Sequence, residues 1–398
     1  MVYSRIVFVL LFAAFCYGCS GVKLGPDHEL DADDWTTEGA SLKRQHATSM
    51  AIDPPLYEQW RYDVGAGVGP AGALIVDNAV IVGTRNGLLH SINIADGDRL
   101  SRVKLDAPIE GGMAIGDDRL FLPMAGDKKS VIVYDLATGK KSWTLKGKPV
   151  EAGLVYTAGK VIAVDAEAQV MALESRTGDE IWSTQIAERS TVVSSPVVLD
   201  DRLFVLDETG TLFALRLEDG EMLWQKALGS PVYSTASTDG NLIFVPTTRG
   251  RLFALDSARG DIVWQYALSD STVRFTTPAY AARDNKIVFS ATNGEVRALD
   301  ASSGEEQWVS KLDGAISSAP LITAHTVYVG TMRKYLHALD FKTGIELWSH
   351  ELTGRIKSAV VGANERIIVM AETQKVFSFS PDDPDLIEAE EENAADTP

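Results

Sequence analysis

The stretch that decides the fold is Gly250-Arg251-Leu252-Phe253-Ala254-Leu255-Asp256-Ser257-Ala258-Arg259-Gly260-Asp261-Ile262-Val263-Trp264. Residues 252–255 form a short apolar run, which is typical of a buried strand. Asp256 can accept hydrogen bonds from turn amides, and Gly260 can adopt a positive φ at little steric cost. The chain then reverses into a second strand that carries Trp264. The stretch therefore predicts a β-hairpin with a four-residue loop.

The same hairpin recurs along most of the chain at intervals of about forty residues. The turn glycine recurs at Gly97, Gly139, Gly178, Gly220, Gly260, Gly304 and Gly344. A tryptophan follows four residues later at Trp143, Trp182, Trp224, Trp264, Trp308 and Trp348, whereas Ser101 takes its place in the first copy. Another strand pair precedes each hairpin, as at 231–237 and 241–246. Four strands in each repeat indicate a β-propeller blade, and large indoles between blades would hold neighbouring blades together.

The two ends of the repeat array complete one another. The last copy, residues 367–379, reaches Pro381 without a turn glycine or a tryptophan, while residues 56–63 contain Trp60 and have the pattern of a terminal strand. Pairing these ends closes the ring and removes exposed sheet edges. We therefore expect an all-β, eight-bladed propeller of four-stranded antiparallel blades, closed by pairing of the N- and C-terminal strands. An open solenoid would need a polar cap at each end.

The N-terminus has the pattern of an export signal. The apolar run at residues 6–15 is too short to span a bilayer comfortably and is typical of a secretory signal peptide at residues 1–18. Cys19 after Gly18 resembles a bacterial lipobox, in which this cysteine is diacylated, although Cys16 stands where that motif usually has leucine. We expect a lipoprotein with Cys19 carrying the lipid (palmitate or a related acyl chain). An ordinary cleaved signal is the alternative.

Composition limits the partners of the exported chain. The formal net charge is −18, which disfavours nucleic acid or an anionic membrane surface as a partner of the whole molecule, although a local basic patch is compatible with it. The C-terminal residues are rich in Asp and Glu without Lys or Arg, as in solvated disordered tails. The expected division is a signal peptide at 1–18, a lipid anchor and tether at 19–55, the propeller at 56–380 and an acidic disordered tail at 381–398.

The repeat resembles that of a known superfamily. The Ala-Leu-Asp-x-x-x-Gly-x-x-x-Trp frame at 254–264 resembles the pyrroloquinoline-quinone-like (PQQ-like) propeller repeat, over roughly residues 56–380. Together with the lipobox-like cysteine and the single propeller, it resembles the BamB family of outer-membrane β-barrel assembly lipoproteins. That resemblance implies a non-enzymatic scaffold without a cofactor, anchored in the outer membrane and facing the periplasm. Its partners would be the central barrel-assembly subunit and unfolded outer-membrane proteins.

Contact residues of that family lie in interblade loops, and this chain departs from the family there. The loop at 186–192 keeps Arg189 without leucine neighbours, and Arg274-Phe275 stands before a Thr-Thr-Pro sequence where the family has acids. Because arginine and aromatic side chains are favoured in binding surfaces, we expect partner contacts from interblade loop residues. The candidates are Arg189, Arg274, Phe275, Tyr233 and Arg355.

Two other function classes remain open. Quinone-dependent oxidoreductases share the repeat, and their quinone site resembles a sandwich between a tryptophan and a vicinal disulfide, but no cysteine follows Cys19 in this chain. His90 and His337 occupy equivalent positions in their repeats, and the histidines show no metal-ligand spacing. We therefore predict no enzyme activity, catalytic residue, metal or cofactor. A propeller adaptor for another envelope complex is the remaining alternative.

Overall fold

The computed structural model describes residues 21–24, 30 and 34–383. Over these residues, 32 strands form eight four-stranded antiparallel sheets, and the single helical element is a short 3-10 turn at Ala282–Asp284. The predicted eight-bladed β-propeller is confirmed. The expected signal peptide and Cys19 lie outside the described residues, as does the acidic tail beyond residue 383.

Each blade is a meander from the central channel outward. Blade 1 comprises β2 to β5, and blades 2 to 7 each comprise the next four strands in order. Blade 8 comprises β30 to β32, with β1 at its outer edge. The strands are β1 Tyr57–Asp63, β2 Leu74–Val76, β3 Ala79–Gly83, β4 Leu88–Asn93, β5 Arg99–Lys104, β6 Ala114–Gly116, β7 Arg119–Gly126, β8 Lys129–Asp135, β9 Lys141–Leu145, β10 Val155–Thr157, β11 Lys160–Val164, β12 Gln169–Glu174, β13 Glu180–Gln185, β14 Val197–Leu199, β15 Arg202–Leu206, β16 Thr211–Arg216, β17 Met222–Ala227, β18 Ser237–Thr238, β19 Leu242–Pro246, β20 Arg251–Asp256, β21 Ile262–Ala267, β22 Ala279–Ala281, β23 Lys286–Ser290, β24 Glu295–Asp300, β25 Glu306–Lys311, β26 Leu321–Ile322, β27 Thr326–Gly330, β28 Tyr335–Asp340, β29 Glu346–Glu351, β30 Val361–Ala363, β31 Arg366–Ala371 and β32 Lys375–Ser380.

The outer hairpin of each blade folds for the reasons seen in the sequence. In blade 5 the Asp256 carboxylate accepts backbone N–H bonds from Ala258 and Arg259, at 3.0 and 2.9 Å. The Gly260 N–H donates to the Asp256 carbonyl at 2.8 Å, and Gly260 has a φ of 73°. A bulge follows, because Ala254 pairs with Trp264 while Leu255 pairs with Ile262. The turn therefore satisfies its own polar groups and turns the indole toward the next blade.

Neighbouring blades are joined by the indoles. Trp264 of blade 5 covers the turn glycine of blade 6, where a Cβ on Gly304 would lie 2.7 Å from the indole ring. The Trp264 Nε1 donates to the carbonyl of Ala301 at 2.9 Å. The same carbonyl, three residues before the turn glycine, accepts from the preceding blade's indole in the pairs Trp60–Ile94, Trp143–Ser175, Trp182–Leu217 and Trp308–Phe341. Each joint thus needs a large side chain on one blade and none on the next.

The ring closes by pairing of its two ends, as predicted. Strand β1 lies antiparallel to β32, and Trp60 pairs with Ser378 across a bulge. Trp60 then covers Gly97 of blade 1 in the same way as the other indoles. This pairing places an N-terminal strand in the last blade, so no blade is left with an open fourth position.

Blade 1 has Ser101 at the tryptophan position, and a distant segment fills the resulting gap. Val22 and Leu24 are buried at the joint between blades 1 and 2. The Leu24 N–H donates to the Leu136 carbonyl at 3.0 Å, and Leu136 stands three residues before the turn glycine Gly139. The backbone of residues 21–24 thus supplies both the apolar cover and the N–H that an indole supplies elsewhere.

The expectation of a tether over residues 19–55 needs correction for its second half. Residues 34–53, which we call the plug, run across one end of the central channel, and Trp35 and Ile52 are fully buried. The plug hydrogen-bonds to the innermost strands around the ring, including Trp35 with Ile75 of blade 1 and His46 with Ile322 of blade 7. The segment is therefore part of the globular body. Sequence patterning missed it because an irregular strand across a channel has no apolar period.

Candidate functional site

The open mouth of the channel is ringed by small residues. One residue of each blade stands two positions before its innermost strand, and all are Gly, Ala, Ser or Thr: Gly72, Gly112, Gly153, Ser195, Thr235, Thr277, Ala319 and Ala359. Crowding explains this composition, since a Cβ on Gly153 would collide with the Ser195 hydroxyl of the next blade. Most of these residues line a cavity of about 90 Å³ that the plug closes from the other side.

The floor of this cavity is formed by polar residues of the plug. The Glu38 carboxylate accepts hydrogen bonds from the hydroxyls of Ser195 and Thr235, the latter at 3.2 Å. His46 also lines the cavity and is almost fully buried. Burial lowers the pKa of His46 to about 4, with Glu38 opposing and nearby Arg44 adding to the shift. At neutral pH the imidazole of His46 is therefore uncharged.

Arg44 fixes the plug in the channel. Its guanidinium is fully buried and donates to Thr37 Oγ1 at 2.6 Å and to the Glu38 carbonyl at 2.8 Å. It also donates to the carbonyls of Leu154 in blade 3 and of Pro196 in blade 4, at 3.2 and 3.1 Å. A planar group with several fixed N–H bonds suits this set of acceptors, and the nearby Glu38 offsets its charge.

The filled channel leaves little space for a cofactor. Small-molecule sites are usually cavities of roughly 300–1,000 Å³, several times the volume left above the plug. Among the described residues, no group of three or more His, Cys, Asp or Glu side chains is arranged to hold a metal ion.

Three of the predicted contact residues lie on consecutive interblade loops at the open face. Arg189 lies between blades 3 and 4, Tyr233 between blades 4 and 5, and Arg274 between blades 5 and 6, and all three are exposed. Tyr233 is 58% exposed and also lines the channel mouth. Within the described part of the chain, neither arginine forms an ion pair. Two unpaired cations therefore flank an exposed aromatic ring on an acidic protein.

The other two predicted contact residues have different surroundings. Phe275 is buried and packs on Phe289 with ring centroids 4.7 Å apart, so its prediction as a surface contact is wrong. The alternation along this loop turns Arg274 outward and Phe275 inward, which residue type alone does not reveal. Arg355 is exposed on the same face between blades 7 and 8, where it pairs with Glu372. Lys357 and Arg355 together hold the pKa of Glu372 below its usual value.

The repeat matches a described family over almost the whole propeller. The profile of the family described as outer membrane protein assembly factor BamB matches residues 50–151, 127–294 and 292–387. The chain belongs to this family. A curated BamB from Shewanella oneidensis is 24% identical over 178 residues, which covers 40% of this chain and 44% of the relative. This chain thus spans less than half the length of that relative in the match.

Solved structures extend the BamB comparison to the fold. The crystal structure of BamB from Moraxella catarrhalis has a TM-score of 0.67 at 19% identity, covering 82% of this chain and 98% of that one. Quinohemoprotein alcohol dehydrogenase from Comamonas testosteroni has a TM-score of 0.72 at 14% identity, covering 87% and 80%. The propeller is thus shared by a BamB and by an oxidoreductase, and fold likeness does not separate the two functions.

Sequence analysis missed the plug residues of this BamB family member. Glu38, Arg44 and His46 stand in a polar stretch, and the hydrogen-bond partners of Glu38 and Arg44 include residues of blades more than a hundred residues away. The available signal was the presence of large apolar residues, among them Trp35 and Ile52, in a mostly polar segment. In the described residues, the structure contains no helix that is long and apolar enough to cross a membrane.

Proposed function

We propose that the chain is a non-enzymatic scaffold in outer-membrane β-barrel protein assembly, anchored through a lipid on Cys19 and facing the periplasm. Family membership supports the assembly role. The observation that carries the binding role is the surface formed by Arg189, Tyr233 and Arg274, which we call the loop triad. Exposed arginine and tyrosine with free hydrogen-bonding groups are typical of protein interfaces.

The chemistry of the loop triad defines the partner surface. The two guanidinium groups, which form no ion pair with the described residues, favour carboxylates, which each can bind through two parallel hydrogen bonds. The Tyr233 ring offers apolar area that is left exposed in the free protein. We infer a folded protein partner with an acidic, partly apolar surface, as expected for another subunit of the assembly complex. Unfolded outer-membrane proteins are the second proposed class of partner.

Filling of the channel supports binding over catalysis. Residues 34–53 occupy the central channel, and the cavity left at its mouth is about 90 Å³. A titration with quinone and Ca²⁺ tests this point directly. Stoichiometric binding with dye-linked turnover would contradict the scaffold proposal.

Affinity purification of the native lipoprotein from solubilised membranes tests the partner. We expect the wild-type chain to recover subunits of the barrel-assembly complex, and the double variant R189E/R274E to recover far less. The matched control K226E/R259E reverses one charge in the outer strand β17 and one in the turn between β20 and β21. Neither residue belongs to the loop triad. Recovery of a different stable partner, or equal recovery by both variants, would overturn the assignment.

A further inference from the structure

The N-terminal segment fixes where the chain approaches blade 2. Residues 21–24 lie against the outer hairpin of that blade, with Gly21 beside the Tyr134 ring and the turn of Gly139. Val22 and Leu24 are buried there, while Lys23 between them is exposed. The Leu24–Leu136 hydrogen bond holds residues 21–24 against blade 2. Residue 21 is thus attached to the rim of the propeller.

Chain connectivity then limits the position of the proposed anchor. Each residue spans at most about 3.6 Å, so a lipid attached at Cys19 would be joined to Gly21 by no more than about 7 Å of backbone. A lipid on Cys19 would leave the protein beside the Gly139 turn of blade 2. The distance is too short for a flexible tether to separate the propeller from the bilayer.

The outer edge of blade 2 is rich in lysine on a molecule whose net charge is −18. Lys128, Lys140, Lys141 and Lys146 are exposed, and none of them forms an ion pair within the described part of the chain. Among the nearby acids, Asp106 pairs with Lys129, and Asp135 accepts hydrogen bonds from the Thr138 amide and hydroxyl of its own turn. Asp127 is exposed beside Lys128, so the lysines of this edge outnumber its acids. The blade therefore presents free positive charge.

Equivalent positions in the other blades show that this charge is local. The residue after the turn glycine is Asp98, Lys140, Asp179, Glu221, Asp261, Glu305 and Ile345 in blades 1 to 7. The next residue is Arg99, Lys141, Glu180, Met222, Ile262, Glu306 and Glu346. Of these seven hairpins, the one beside residues 21–24 alone has a cation at both positions. Propeller geometry does not require two lysines there, because the other blades have acids or apolar residues at one or both positions.

We propose that the outer edge of blade 2, formed by Lys23, Lys128, Lys140, Lys141 and Lys146, docks on anionic phospholipid headgroups. The proposal rests on the lipid anchor of the proposed function, which would bring this edge to the bilayer. Lysines close to an anionic surface each strengthen binding by roughly fivefold at physiological salt. The propeller would then stand edge-on, with blade 6 farthest from the bilayer and the loop triad free for a protein partner.

The experiment places one fluorophore at equivalent positions on opposite blades. Ser142 of β9 and Gln307 of β25 each stand three residues after a turn glycine and are exposed. Cys16 would be removed with the signal peptide, and Cys19 would be blocked by the lipid. S142C and Q307C would therefore each be labelled at a single site. The mature lipoprotein is reconstituted in phosphatidylcholine vesicles with or without phosphatidylglycerol, and quenching by brominated lipid is measured.

We expect strong quenching at S142C and little at Q307C, with the difference largest on vesicles that contain phosphatidylglycerol. K140E/K141E should reduce quenching at S142C several-fold, as should raised salt, while the matched control K226E/R251E should leave it unchanged. Equal quenching at both probes, or quenching at S142C that is independent of phosphatidylglycerol and of K140E/K141E, would overturn lysine docking.

Measuring the intact mass of the mature chain tests the proposed lipid anchor separately from the docking proposal. A chain without diacyl mass on Cys19 would contradict the proposed anchor. The lysine surface is then tested on that same protein by cosedimentation with the two vesicle types. We expect K140E/K141E to weaken cosedimentation on phosphatidylglycerol vesicles by roughly tenfold or more. Equal sedimentation of wild type and variant would overturn the docking surface.

Discussion

The joint between blades depends on a pair of residues that are complementary in size. The turn glycine has a positive φ, which an L side chain adopts at a cost of about 1–2 kcal/mol, and it also lies under the indole of the preceding blade. Gly304 meets both conditions. Gly159, in the turn between β10 and β11, has a φ of 77° but nothing within 4 Å of an added Cβ. Comparing substitutions at the two glycines therefore distinguishes the effect of backbone strain from that of steric collision.

We expect Gly304→Ala to destabilise the protein more than Gly159→Ala. Gly159→Ala should lower the free energy of unfolding by about 1 kcal/mol through backbone strain. Gly304→Ala should cost about 1–3 kcal/mol more, because the methyl group would push Trp264 away from its position. Urea denaturation monitored by tryptophan fluorescence measures both. Equal losses would show that the indole shifts freely and that the joint does not depend on close packing.

At the scale of the element, the outer hairpins were predictable and the two N-terminal segments were not. Asp256, Gly260 and Trp264 each act locally, within one hairpin or on the next, so their spacing in the sequence contains the information. Residues 21–24 replace a tryptophan that is absent at position 101, and that replacement depends on a contact across more than a hundred residues. The sequence showed the vacancy at Ser101 but not the segment that fills it. The predicted contact residues also could not be sorted into buried and exposed ones from the sequence. Side chains alternate in direction along the folded loop, which buries Phe275 and exposes Arg274.

Residues 21–24 take the place of an indole, which can be tested by disrupting this segment and adding a tryptophan at position 101. Leu24→Asp should destabilise the joint of blades 1 and 2 by about 2–4 kcal/mol, because it buries a carboxylate in place of an apolar side chain. Ser101 stands opposite Ser91 in the register that in blades 3 to 7 places tryptophan opposite alanine. Ser101→Trp should therefore restore part of the loss in the Leu24→Asp background, while destabilising the otherwise native chain.

Thermal unfolding of the two single variants and the double variant measures this coupling. Leu30 is 42% exposed, and Leu30→Asp is the matched control, for which we expect a change of less than about 0.5 kcal/mol. Additive losses in the double variant would contradict the exchange and assign Leu24 only a general packing role.

At the scale of the whole molecule, the plug connects the ring from inside. Its backbone or the Arg44 side chain hydrogen-bonds to each of blades 1 to 7, and Trp35 and Ile52 belong to the core that includes blade 8. A propeller otherwise joins each blade only to its two neighbours. The plug adds contacts between blades that are distant around the ring, so loosening it should affect the entire protein.

Mild acid is expected to destabilise the molecule through the plug. Burial lowers the pKa of His46 from 6.5 to about 4 in the folded state, and His90, which hydrogen-bonds Tyr62, has a similarly lowered pKa, also mainly through burial. Between these values the unfolded chain binds more protons than the folded chain, so stability is complete above about pH 6.5 and falls as the pH decreases toward 4. From pH 7 to pH 5, His46 alone should account for a loss of about 2 kcal/mol.

Chemical denaturation at pH 7 and pH 5 distinguishes the two histidines. His46→Gln removes the proton-binding group beside Glu38 and Arg44, and it should make the loss between the two pH values smaller by about 2 kcal/mol. The exposed His325, which pairs with Asp53, provides the control His325→Gln for the removal of an imidazole at the surface. Carboxylates such as Asp117, whose pKa is lowered mainly by its hydrogen bond with Arg176, lose their contribution only at more acid pH. An unchanged pH dependence in His46→Gln would mean that the imidazole reaches solvent in the folded protein and that the plug does not seal the channel floor.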